Sequence, residues 1–238
     1  VRHFVRDALP EHTLETLVAA AQSAPTSSNL QTWSVIAVES QERREALANL
    51  VGPQKHLAVA PLVLVFLADL SRIERLGQAQ GRDPVGLHYL DTFLMGVIDA
   101  ALAAQNAVVA AEAMGLGTVY VGGMRNQPEQ VATLLGLPSE VFAVFGMCVG
   151  RPDPTKPAAV KPRPAQSVVL HHERYRQAPL DAGIEAYNQA MARFYEAQQM
   201  KVHGTWDVHS AKRIAGPESL SGRDRLVEAL HALGFKLK

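Results

Sequence analysis

Residues 93–126 constrain the fold more than any other stretch of this 238-residue chain. Residues 93–114 are apolar nearly all round, which predicts a helix buried on several sides. The turn Gly115-Leu-Gly117 stops that helix, and Thr118-Val-Tyr-Val121 has the branched and aromatic residues of a short strand. Two consecutive glycines, Gly122 and Gly123, follow, and then Arg125. A strand that ends in bare backbone beside a fixed positive charge suits a flat, anionic ligand. The dinucleotide fingerprint G-x-G-x-x-G is not met, because the glycines fall before and after the strand instead of between a strand and a helix. A tight turn between buried elements is the alternative reading of the same residues.

The same helix raises the question of a membrane span. Asp99, Gln105, Asn106 and Glu112 interrupt it and alanines dilute it, so a core or a subunit interface is expected instead. Lys plus Arg and Asp plus Glu stand at 23 each, which leaves no overall field to draw nucleic acid or an anionic membrane. With 47% hydrophobic and 19% charged residues, the chain has the composition of a globular protein with apolar area left for an interface. Cys148 is the single cysteine, and its surroundings, Val144-Phe-Gly-Met-Cys-Val149, predict a buried and inert thiol. A cytoplasmic protein without a signal peptide is expected.

Along the chain, helical spacing of Leu14, Leu17, Val18 and Ala21 predicts a first helix over 10–23. Residues 24–29 form a loop of small polar residues, 33–39 alternate like a strand, and 42–51 read as helix. A buried strand is expected at 61–67, a helix at 69–78 and a mobile loop at 81–87. Gln127-Pro-Glu-Gln opens a helix that Gly136 ends. A buried strand covers 141–149, and a proline-rich surface segment covers 151–164. Residues 182–199 form a helix with Tyr187, Ala190, Met191 and Phe194 on one stripe, and 207–214 and 223–233 make the tail helical. Strands separated by helices give an α/β-like or α+β fold. The expectation is one α+β domain over 1–238, with a helical C-terminal extension from about residue 180.

Lys161-Pro-Arg163 stands out within the proline-rich segment. Proline holds the backbone between two cations, a planar fork and a point charge, both suited to phosphate or carbonyl oxygens. A solvated basic turn is the plainer reading.

Taken together, these residues resemble a family, the FMN-dependent, oxygen-insensitive nitroreductases of the NADPH:flavin oxidoreductase group. The matching pieces are Val1-Arg-His-Phe4, Ala24-Pro-Thr-Ser-Ser-Asn-Leu-Gln31, Gly52-Pro-Gln-Lys-His56, Gly96-Val-Ile-Asp99 with Ala104-Gln-Asn-Ala107, 115–126, Phe145-Gly-Met-Cys-Val-Gly150, Lys161-Pro-Arg163 and His171-His-Glu-Arg-Tyr175. They occur in the family's order over nearly the whole chain. The resemblance implies a mixed central β-sheet flanked by helices, in an intertwined homodimer with the long helix at its two-fold interface. It also implies bound FMN and a ping-pong cycle. NADPH or NADH reduces the flavin and leaves, and a nitroaromatic, quinone or free flavin takes its place.

Carried over position by position, the family motif assigns Arg2, Thr26, Ser28, Gln54, Tyr120, Val121, Gly122, Gly123, Arg125, Lys161 and Arg163 to FMN. Ser28, Asn29, Arg125, Lys201 and Arg223 are assigned to NAD(P)H or the acceptor. Without the family, Gln54 reads as a surface turn residue and Arg223 as a helix-surface charge. No side-chain general acid is required, since flavin and water carry the protons.

The loop that reads the 2′-phosphate of NADPH in related proteins is Gln198-Gln-Met-Lys-Val-His203 here, with Lys201 its one firm cation. Weak preference between NADPH and NADH is therefore expected. Asn29 stands where relatives often carry an aromatic residue, which widens the pocket. His171-His172-Glu173, His203 and His209 lack both the H-E-x-x-H spacing and a cysteine pair, so no metal is expected. Two other functions share the same residues: a reductase that supplies free reduced flavin, and a non-catalytic flavin-binding sensor.

Overall fold

The computed structural model describes residues 1–52, 54–177 and 180–238. Pro53, within the Gly52–His56 motif, lies outside the described residues. Two compact units emerge, one of residues 1–157 with 222–238 and one of residues 158–221.

The first unit is organised about a single strand. α1 (Thr13–Gln22) leads through a polar loop to β1 (Trp33–Val38), then α2 (Gln41–Val51) and a short α3 (Lys55–Val59). β2 (Leu62–Asp69) follows, and every residue in it is buried. After α4 (Ser71–Ala79) comes the long α5 (Leu90–Ala113), which runs into β3 (Gly117–Val121). α6 (Pro128–Leu135) and β4 (Val141–Gly150) complete the sheet, whose order is β1-β2-β4-β3.

β2 is central, so both of its faces must be covered, and its sequence is a continuous apolar run. Leu62, Leu64, Phe66 and Ala68 join the cluster that includes Leu17 and Ala21 of α1 and the alanines of α5. Val63, Val65 and Leu67 join the cluster formed with Leu47 and Val51 of α2, Met124 and Val131. Period-two alternation thus builds a helix–sheet–helix sandwich from one strand.

All pairings among the described strands are antiparallel, where the resemblance implies a mixed sheet. The reason is topological. The crossover through α5 does run β2 and β3 in the same direction, but β4 enters between them and separates the parallel pair. The architecture is α+β.

Local signals explain most boundaries. Ser40 caps α2, its Oγ accepting from Arg43 N–H at 3.3 Å. Pro128 opens α6 and Gly136 closes it. Gly115 ends α5 with φ 73°, a left-handed conformation that costs other residues more. Asp69 ends β2 instead of opening the next helix, because its carboxylate accepts from Ser34 Oγ at 2.5 Å and Ser71 Oγ at 2.8 Å.

α5 is the one described helix long and apolar enough to cross a membrane. Its Ala100, Ala103, Ala104, Ala107 and Ala111 face are packed into the core at 0–1% exposure. Leu90, Leu94, Ile98, Leu102 and Val109 lie on the outside of the same helix, each more than 40% exposed.

The C-terminal residues return to this unit. α10 (Leu226–Ala232) buries Ala229 and Leu230, and Phe235 stands edge-on to Phe93 with ring centroids 5.1 Å apart. Leu90 N–H donates to Lys238 O at 3.1 Å and Lys238 N–H to His88 O at 2.9 Å. Glu140 N–H donates to Leu233 O at 2.8 Å, and Glu140 itself is buried with φ 60°.

The second unit holds α7 (Gln166–Val169), α8 (Leu180–Ala197) and α9 (Trp206–Arg213); α10 (Leu226–Ala232) belongs to the first. Tyr187 and Met191 of the expected stripe are buried. Tyr187 packs edge-on against Trp206 at 5.0 Å, and Asn188 Oδ1 accepts from Asp207 N–H at 3.2 Å.

Candidate functional site

The site in the first unit grows from the end of β3. Val121 is buried, and the chain passes at once into a 3-10 turn, Gly122–Arg125. At Gly123 a Cβ would lie 2.6 Å from the Val51 carbonyl oxygen and 2.8 Å from Gln54 Nε2. Only glycine seats the end of α2 against this turn. Asn126 Nδ2 and Gln54 Nε2 both donate to the Val51 carbonyl, at 2.9 and 3.4 Å, and Gln127 Nε2 donates to Leu50 O at 3.2 Å.

The two glycines, read from sequence as bare backbone for a ligand, therefore do different things. Gly123 serves the chain's own packing. At Gly122 the atom nearest a Cβ position is Arg125 Nη2, 3.3 Å away, so the Arg125 side chain folds back over that residue. Its Nη1 donates to the Val144 carbonyl. Burial pulls the Arg125 pKa below its ordinary value, and the positive charge of Arg223 pulls it further. A partly desolvated guanidinium close to a second one is a place where an anion lowers the energy.

Arg125 and Gly122 line a cavity of about 380 Å³ with Ala101 and Gln105 of α5, Tyr120 of β3 and Phe145 of β4. Tyr120 stands edge-on to Phe145 at 5.2 Å, and its hydroxyl donates to Gln105 Oε1 at 3.5 Å. Burial pushes that hydroxyl up to about 12, so it remains a neutral donor at physiological pH. Aromatic edges, a glycine and a guanidinium together accept a planar, electron-poor ring with a polar rim. Sequence reasoning missed Ala101, Gln105 and Phe145. The helical spacing of Ala101 and Gln105 and the presence of Phe145 in a strand bordering Tyr120 were the available signals.

The N-terminal segment supplies a second cluster. Phe4 bridges to Pro152, and Asp153 N–H donates to His3 O at 3.0 Å, which fixes the exposed Arg2. His56, on α3, is lowered by burial and by the charges of Arg2, the Val1 amine and His3. Its Nε2 is buried without a protein partner. The cavity residues fit the flat ring of FMN, and the exposed Arg2 is a cation of the kind a phosphate takes.

Thr26, Ser28 and Asn29 share one loop, whose Ser27–Asn29 segment is a 3-10 turn. Ser28 and Asn29 are exposed. Lys161, Arg163 and Lys201 are exposed residues of the second unit. There Arg163 Nη1 donates to the carbonyls of Lys161 and Pro162, at 3.0 and 3.2 Å, and Tyr187 Oη donates to Pro162 O at 3.2 Å. The basic turn is thus braced by α8.

The sequence pattern of the Nitroreductase family matches residues 1–151, and that of the Nitroreductase family, C-terminal domain, matches residues 161–238. The chain belongs to the nitroreductase family. An "Oxygen-insensitive NADPH nitroreductase" of Salmonella typhimurium is 36% identical over 99% of this chain and 93% of its own length. An "NADPH-flavin oxidoreductase" of Vibrio harveyi is 36% identical over 91% of this chain and 87% of its own. A solved structure described as NADPH:FMN oxidoreductase from Vibrio harveyi complexed with NAD+ superposes with a TM-score of 0.87 at 33% identity. It covers 100% of this chain and 95% of the other.

Within this nitroreductase, the first unit brings Gln54 beside Gly123 and gathers Tyr120, Gly122 and Arg125 around one cavity. It brings Arg223 close enough to act on Arg125. Arg2 acts instead on His56. Among the described residues, no three His, Cys, Asp or Glu side chains converge as a metal site.

Proposed function

We propose that this nitroreductase is an FMN-dependent NAD(P)H oxidoreductase that works as a cytoplasmic homodimer on nitroaromatics, quinones or flavins. The observation that carries this reading is the Gly122–Arg125 turn, seated on Val51 and Gln54 and opening on the cavity of Tyr120, Phe145 and Arg125.

Arg2, Thr26, Ser28, Gln54, Tyr120, Val121, Gly122, Gly123, Arg125, Lys161 and Arg163 would hold FMN. When bound, FMN supplies the two-electron relay between the nicotinamide and the acceptor. The chain's own residues bind and orient. Arg125 arrives already desolvated and tied to Val144 O, so its charge needs no reorganisation when a ligand docks. Tyr120 and Phe145 give one edge of the cavity an aromatic wall. Ser28, Asn29, Arg125, Lys201 and Arg223 are assigned to the nicotinamide nucleotide or acceptor. No side chain is assigned as a proton donor.

The homodimer rests on the outer face of α5. Leu94, Ile98 and Leu102 recur at four-residue spacing and stay exposed, a stripe that a second subunit would cover.

The test is the visible spectrum of the purified protein, supplemented with FMN, before and after anaerobic NADH or NADPH. Flavin absorption that bleaches with reductant and returns with a nitroaromatic is expected. Bound flavin that nucleotide leaves unchanged identifies a sensor, and no bound flavin refutes the reading.

A further inference from the structure

Asp99 is 1% exposed in the middle of the apolar α5, where a carboxylate is costly unless satisfied. It is satisfied entirely by one segment. Oδ1 accepts from Ser27 N–H at 3.0 Å, and Oδ2 accepts from Thr32 N–H at 3.1 Å and Thr32 Oγ1 at 2.8 Å. These donors bracket the loop that carries Ser28 and Asn29.

That loop is held away from its relaxed conformation. Ser28 has φ 49°, Asn29 φ 55° and Gln31 φ 53°, all left-handed and none a glycine. Such residues persist only where their surroundings over-determine them, and they cluster at functional sites. Gly96, one turn before Asp99 on the same face, lets the helix come close enough. A Cβ there would lie 3.1 Å from Ala68 Cβ and 3.2 Å from the Thr32 carbonyl.

We propose that Asp99 is a positioning residue, which clamps both ends of the 27–32 loop and presents Ser28 and Asn29 preformed to the flavin or its substrate. This rests on the assignment of that loop to the flavin site. The clamp works through acceptors on both carboxylate oxygens. A carboxylate offers acceptors to both ends of the loop, whereas a carboxamide must turn one NH2 toward a backbone N–H. The strained loop then loses one anchor and relaxes.

Asp99→Asn and the milder Thr32→Val, which removes one of three donors, test the clamp. Amide hydrogen exchange over residues 26–32, measured with and without FMN, reads the loop directly. Faster exchange confined to that segment is expected, graded from Thr32→Val to Asp99→Asn. FMN titration and steady-state kinetics read the consequence. Tenfold or greater weakening of FMN or a raised KM is expected for Asp99→Asn, in protein that still melts cooperatively. A lowered Tm with native loop exchange, native flavin affinity and native KM in both variants would overturn the proposal. A wild type that takes up no FMN refutes the flavin assignment instead, separately from the exchange result on the clamp.

Discussion

Single residues in this protein are often constrained by a neighbour and not by a ligand. Gly123 is the clearest case. Alanine there would push its Cβ against the Val51 carbonyl and Gln54. Overpacking of this kind costs about 1–3 kcal/mol, and each kcal/mol shifts Tm by about 2–4 °C in a chain of this size. Thermal denaturation of Gly123→Ala is therefore expected to show a clear drop, with an unchanged Tm ruling out the close approach. Glu140 carries the opposite liability. It is buried, its Oε2 lacks a partner, and burial and the charge of Glu74 raise its pKa against the opposing charge of Lys236. A carboxyl raised in the folded state stabilises fully only below its unfolded pKa and loses that contribution as pH rises through the folded pKa. Glu140→Gln should therefore melt above wild type at pH 7, with the gap closing toward about pH 4. A gap independent of pH excludes ionisation as its cause. Residues of this kind were only half legible in the sequence. A G-G before an arginine marks close approach, but not what approaches. Phe145 and Asp99 were visible in family-like segments, yet their partners come from strand neighbours and from a loop distant in the chain.

At the scale of elements, the boundaries set by local signals were legible in the sequence. The stop at Gly115, the start at Pro128 and the buried run of β2 depend on backbone rules that act over a few residues. α3 was not legible in the sequence, because five residues opened by Gln54 carry no capping side chain and no full amphipathic period. Strand order was not legible, since β4 enters between β2 and β3 for tertiary reasons. The exposed stripe of α5 makes a prediction of its own. Ile98, 55% exposed, stands among Leu94 and Leu102. Ile98→Glu would place a charge in the proposed subunit contact, where desolvation is unfavourable. Analytical ultracentrifugation should find the wild type dimeric and this variant shifted toward monomer. A dimer of undiminished affinity places the contact elsewhere.

Across the whole molecule, Lys201 is the one firm cation of the 198–203 loop, and it lies exposed in the second unit. One exposed ion pair is worth about 0–1 kcal/mol, a several-fold preference at most. The ratio of kcat/KM for NADPH over NADH at pH 7.5 is therefore expected to stay modest. A ratio above about a hundredfold needs about 2.7 kcal/mol and would show the 2′-phosphate being read by other cations, Arg125 and Arg223 first. The path of the chain has a different consequence. Residues 158–221 leave the first unit and residues 222–238 come back to it, with Phe235 buried on Phe93 and Lys238 paired with His88. Along the chain, the second unit thus lies between two stretches of the first. A protease that cuts once in the exposed stretch around Gln199 should leave two fragments that co-elute under native conditions and separate only in denaturant. Co-elution would show that covalent continuity there is dispensable, with α10 and Phe235 holding residues 222–238 to the first unit.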